Sequence, residues 1–153
     1  MSTQTTAIQS FKAVSPEDGT PLTMMSETIH IRLRGEDTGG AYSVIEDETP
    51  PQAGPPLHVH SREDETFYVV KGEYDIQIGD AIVRARPGTY LYAPRDVPHS
   101  FRNVSEEAGR LLIIFSPPGF ERFFEEVDAM AKVGPPRFEE VVKLAASYGN
   151  QAL

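Results

Sequence analysis

At 153 residues the chain has room for one well-packed domain and little for a second, and 39% apolar with 24% charged residues is ordinary globular usage, which excludes a disordered chain. Fourteen Lys+Arg against 23 Asp+Glu give a net charge of −9, which repels phosphate backbones and sets nucleic acid aside as a partner. The lack of cysteine excludes disulfides, thiolate metal sites and Cys nucleophiles.

Residues 1–27 are polar and punctuated by Ser15-Pro16 and Asp18-Gly19, which predicts an N-terminal arm or edge strand. They show no basic segment followed by an apolar core, so no signal peptide is expected. Thr28 to Arg34 alternates apolar and polar residues as a half-buried strand does, and Gly39-Gly40 turns the chain into a second strand from Ala41 to Glu46. A Pro- and Gly-rich loop then leads to Leu57. Strands follow at Thr66–Lys71, Glu73–Ile78, Ala81–Arg86, Thr89–Ala93, Val97–Val104 and Arg110–Phe115, separated by Gly72, Gly79-Asp80, Pro87-Gly88 and Pro94-Arg95-Asp96. Many short strands with no long helix between them indicate an all-β antiparallel sandwich or barrel. After Ser116 the period changes. Phe120, Phe123, Phe124, Val127 and Ala131 form one helical stripe, and Phe138, Val141, Val142, Ala145 and Tyr148 a second that ends at Gly149. Both helices, within 117–149, are expected to cover an open side of the β structure. The longest clean apolar run, Leu111 to Phe115, is far short of the ~20 residues of a membrane span, so the expected location is cytoplasmic.

Three of the four histidines fall in two places that read as one site. His58 and His60 lie two apart, so on a strand both imidazoles face one side. Glu65 follows after the polar stretch Ser61-Arg62-Glu63-Asp64, where a loop or bulge is needed to re-aim the chain. His99 comes about forty residues later, behind a turn. His30 stands alone in its strand and is set aside. Three imidazoles and one carboxylate suit one divalent transition ion, Fe, Ni, Mn or Co, with Zn also fitting, and are too rich in nitrogen for Ca or Mg.

On these residues the sequence resembles the cupins. Their first motif, His-x-His, three or four residues, Glu, six residues, Gly, reads here His58-x-His60, Glu65, Gly72. Their second, Gly, five residues, Pro-x-Gly, two residues, His, three residues, Asn, reads Gly88, Pro94-x-Asp96, His99, Asn103. Two glycines of the pattern are replaced, by Gln52 at the start of the first motif and by Asp96 in the second. Asp tolerates a left-handed turn, so the second change leaves the turn possible. The spacing selects Glu65 over Glu63.

The resemblance covers roughly 28–116 and implies a jelly-roll-type β-barrel with the metal inside and a homodimer as the assembly. The wording Gly-Pro-Pro-Leu-His-Val-His, with the tail Ser-Pro-Pro-Gly-Phe-Glu, is similar to single-domain bacterial cupins of the quercetin 2,3-dioxygenase type. That implies a small-molecule substrate, a flavonol or similar enolisable aromatic, cleaved with dioxygen, with Glu65 as both ligand and base. Strand alternation assigns Phe67, Val69, Phe101, Leu111 and Ile113 to an apolar substrate pocket, or Tyr90 and Tyr92 from a neighbouring strand. Two other readings stay open: an isomerase, cyclase or dehydratase of a dicarbonyl or polyketide-like molecule that needs no dioxygen, and a non-catalytic binding module.

Overall fold

The computed structural model describes residues 10–153. Residues 1–9, part of the expected N-terminal arm, lie outside the described residues. The arm does supply an edge strand, β1 (Leu22–Met24), paired antiparallel with β2 (Glu27–Leu33) across a tight turn at Met25. β3 (Ser43–Thr49) begins two residues later than expected and runs three further. Its inward positions Ser43, Asp47 and Thr49 are polar, with Ile45 the one apolar member, so a two-residue hydrophobic period cannot mark its extent.

β4 (His58–His60), β5 (Asp64–Lys71), β6 (Tyr74–Ile78), β7 (Ala81–Ala85), β8 (Tyr90–Ala93), β9 (His99–Asn103) and β10 (Gly109–Ser116) follow as short, turn-bounded segments. They form a six-stranded sheet in the order β1-β2-β3-β10-β5-β8. β11 (Asn150–Ala152) completes a five-stranded sheet in the order β11-β4-β9-β6-β7. The result is the expected jelly-roll, built of two facing antiparallel sheets that do not close onto one another. Short edge strands leave the two sheets without a shared hydrogen-bonded seam among the described residues.

Between the sheets lie Ile29, Ile45, Phe67, Val69, Ile76, Leu111, Ile113 and Phe115, each within 2% of full burial, each contributing about 1.5–3 kcal/mol. The helices cover one open end, α1 (Glu121–Val133) with Phe123, Phe124 and Val127, and α2 (Phe138–Ser147) with Val141 and Ala145. Two buried carboxylates lock α1 in place. Asp128 accepts the Thr23 N–H of β1 at 2.8 Å, and Glu121 accepts the N–H groups of Gly35 and Gly119 at 3.0 and 2.7 Å. α2 ends where Gly149 takes a left-handed φ of 75°, and the chain then runs into β11 beside β4. No helix among the described residues is long and apolar enough to cross a membrane.

Candidate metal centre

β4 holds His58 and His60 on its inward face and pairs His58 with His99 of β9, so the three imidazoles converge from two neighbouring strands of one sheet. Glu65 comes from the other sheet. Between His60 and Asp64 the chain leaves the five-stranded sheet and enters the six-stranded one, and this crossing, rather than a bulge within one strand, absorbs the odd spacing. One ligating atom from each of His58, His60, Glu65 and His99 lies within 4.8 Å of all the others, and all four residues are buried. His30 lies elsewhere, 3.9 Å from Glu48.

Each imidazole is held by its Nδ1. That of His58 donates to the Pro56 carbonyl at 2.8 Å, that of His99 to the Val97 carbonyl at 3.1 Å, and that of His60 to Glu63 Oε1 at 2.9 Å. With the proton fixed on Nδ1, the Nε2 atoms point at Glu65, whose Oε2 lies 2.7 Å from His99 and 3.3 Å from His60. Glu63 is buried and orients His60 without entering the ligand set, a role motif spacing does not reveal. Asn150 of β11 brings its side-chain nitrogen to 3.4 Å from His60 Nε2.

Burial pulls the His58 imidazole down to about 4, with the neighbouring His99 charge acting in the same direction. Burial also lowers His99, but the hydrogen bond and charge of Glu65 outweigh it and raise its value. Burial pushes Glu65 up, yet the His99 hydrogen bond and the three imidazoles hold its carboxyl below the usual range. Without a metal, His99 and Glu65 thus favour their charged forms as a hydrogen-bonded pair, beside a His58 that favours its neutral one. Three imidazoles and one carboxylate converging in a buried space fit a divalent transition ion, which His58, His60, Glu65 and His99 would hold.

The backbone around the ligands explains the two replaced glycines. Gln52 and Asp96 are both left-handed, with φ of 65° and 66°, so the turns persist without glycine. Gly54 cannot be replaced in this way. A Cβ there, at φ of 148°, would lie 1.9 Å from the Phe101 carbonyl oxygen.

A cavity of about 290 Å³ opens beside the centre, with His58 and Glu65 in its wall. Of the expected pocket residues, Phe101 and Ile113 line it. Phe67, Val69 and Leu111 are fully buried among core side chains and are absent from its lining. Tyr90 and Tyr92 correct the alternative expectation. They are 73% and 58% exposed, because β8 pairs Ala93 with Glu65 and Leu91 with Phe67 and so turns its tyrosines outward. The rest of the wall comes largely from Met24 of β1 and from the helices read as cover, Phe123 and Phe124 of α1 and Phe138 and Val141 of α2. Glu27 and Asp47 also line it, and the sequence pattern placed neither in the strand that carries it, leaving Glu27 in the arm before Thr28 and Asp47 beyond the strand ending at Glu46.

Comparison with known proteins fits this geometry. Residues 46–115 match the family model described as Cupin domain. A stretch of 89 residues is 27% identical to quercetin 2,3-dioxygenase of Bacillus subtilis, covering 58% of this chain and 26% of that protein. Another of 60 residues is 33% identical to the polyketide synthase CurC of Streptomyces cyaneus, covering 39% of each. The chain spans about half or less of the length of the curated relatives it matches. In fold it is similar to the polyketide cyclase RemF from Streptomyces resistomycificus, with a TM-score of 0.62 at 21% identity over 70% of this chain and 80% of that one.

Proposed function

We propose, from the premise that the chain carries a cupin domain, that His58, His60, Glu65 and His99 hold one divalent transition metal, and that the protein is a dioxygenase of quercetinase type acting on a flavonol or similar enolisable aromatic. The observation that carries this reading is the junction of the four buried ligands with an apolar cavity: His58 and Glu65 belong to both. The metal would supply Lewis acidity that favours the deprotonated form of a bound enol, and positions for dioxygen.

The protein's own residues do the rest. Phe101, Ile113, Phe123 and Phe124 offer apolar and aromatic surface for a flat ring system and limit water at the reacting end. Glu65 is the one carboxylate of the four-residue set, held ionised by the surrounding imidazoles, and it takes the enol proton. His99 Nε2, 2.7 Å from Glu65 Oε2, is the nitrogen that would hold the metal, so the enol proton would rest on the Glu65 carboxyl alone.

The test is anaerobic reconstitution with Fe(II), Ni(II), Mn(II), Co(II) and Zn(II) in turn, followed by oxygen uptake on a flavonol. At least one ion is expected to support uptake. Glu65→Gln should lose about 10²–10⁴-fold in rate, the span of a positioned base, while elemental analysis still finds metal. Retained rate in that variant leaves Glu65 a ligand only. A second reading, a cyclase or isomerase of polyketide-like substrates that needs no dioxygen, is supported by the names of CurC and RemF and predicts turnover under anaerobic conditions.

A further inference from the structure

The cavity has a second polar end. Glu27 of β2 and Asp47 of β3 both line it, and their carboxyl groups lie within hydrogen-bond reach of one another. Register explains the meeting. Asp47 is paired with Ile29, so Glu27, two residues along β2, is its diagonal neighbour on the inward face.

One oxygen of Asp47 is tied into the core. Its Oδ1 accepts from Thr49 Oγ1 at 2.9 Å, and Thr49 Oγ1 accepts from the hydroxyl of the fully buried Tyr74 at 3.0 Å. Asp47, only 3% exposed, lines the cavity with Glu27, and among the described residues the Thr49 hydroxyl is the one N–H or O–H that donates to either carboxyl. No Lys or Arg lines the cavity. Two adjacent carboxyls in the wall of a cavity without a counter-cation resist joint ionisation: desolvation raises both, the Asp47 charge raises Glu27 further, and the Glu65 charge raises Asp47 while the hydrogen bonds of Asp47 with Thr49 and Glu27 pull the other way. The pair therefore shares a proton and can donate one hydrogen bond while accepting another. An apolar pair at these positions would cost the fold less, so the burial calls for a ligand.

Its position measures the ligand. Both carboxylates flank β10, where Asp47 is opposite Leu111 and Glu65 opposite Phe115. Four residues at 3.4 Å each separate those positions by about 13 Å along the strand. Ile113 and Phe115 line the cavity along this stretch.

We propose that Glu27 and Asp47 form a second polar subsite, which grips a hydroxyl or carbonyl oxygen at the end of an aromatic substrate remote from Glu65. The proposal rests on the reading that this cavity receives the substrate. It commits to a substrate oxygenated at both ends, and to a specificity role rather than a metal-binding one.

The test uses the metal-free protein and two probes, 2-naphthol and naphthalene, followed by fluorescence titration. Wild-type protein is expected to bind 2-naphthol about five- to tenfold more tightly than naphthalene, the increment of one buried hydrogen bond. In Glu27→Leu/Asp47→Leu the ratio should fall to about one. Should circular dichroism show that this variant does not fold, Glu27→Met alone, at a less buried position, should also lower the ratio. No preference in wild type, or an unchanged ratio in the variant that folds, overturns the subsite. Oxygen uptake by the metal-loaded protein reports on the dioxygenase reading separately, since neither probe needs the metal.

Discussion

Glu63 and Glu65 are two residues apart and both buried, yet they meet different nitrogens of His60: Glu63 binds Nδ1 at 2.9 Å, and Glu65 approaches Nε2 at 3.3 Å. A carboxylate behind a ligating imidazole fixes its tautomer and increases its basicity. Glu63→Gln is therefore expected to weaken metal affinity by about 10- to 100-fold, measured by competition with a chromophoric chelator. An unchanged affinity would show that Glu63 only fills space. The four residues of the candidate centre were legible because their spacing follows strand geometry and a known motif. Glu63 was not, because its role depends on the chain doubling back within the His60–Asp64 crossing, an i,i+3 contact that spacing does not encode. Asp47 was hidden for another reason: the acidic stretch Glu46-Asp47-Glu48 reads as the end of the strand at Glu46, and β3 in fact runs on to Thr49 with Asp47 on its inward face.

Among the elements, the loop before β4 carries the tightest constraint. Gly54 packs its bare Cα against Phe101 of β9, two residues from His99, so this loop and the β9 ligand strand are held in one arrangement. Gly54→Ala must displace one of them and is expected to cost about 2–4 kcal/mol in urea unfolding, from a strained φ and an overpacked contact together. A loss under about 0.5 kcal/mol would mean the loop yields freely. Strands with apolar alternation, β5, β6 and β10, were readable to within a residue or two, as were both helices from their stripes. β11 was not, since Asn150–Ala152 is three residues long with no apolar pattern and exists only because β4 offers it a free edge. The sequence left sandwich and jelly-roll-type barrel open together because strand count and spacing are the same for both. The difference lies in the edges, where β1, β7, β8 and β11 have no further partner among the described residues.

At the scale of the whole molecule, the centre links pH, metal and stability. His99 is raised above 6.5, so its contribution is full below that value and fades as pH rises through the folded one. Glu65 is lowered from 4.5, so its contribution is full above 4.5 and fades as pH falls. The pair thus supports the metal-free fold best between those values. His58, lowered to about 4, works against it, because the unfolded chain takes up its proton first as pH falls below 6.5. A metal must displace the His99 proton, so its stabilising effect should grow with pH. At a thousandfold excess over Kd, about 4 kcal/mol, Zn(II) is expected to raise Tm by about 8–16 °C near pH 7.5 and by less near pH 5.5. An increment independent of pH would remove His99 from the ligand set.

The position of β11 also sets an order in time. Asn150, beside His60, is 90 residues further along the chain, and α1 and α2 precede it by only a few tens. At about 5–20 residues per second of synthesis, some 5–18 s pass between the appearance of His60 and that of the strand laid against it. His99 emerges midway through that interval. The four residues of the candidate centre are thus all synthesised while the helices and last strand that will cover them are still unmade, and the centre exists in the chain before its cover does.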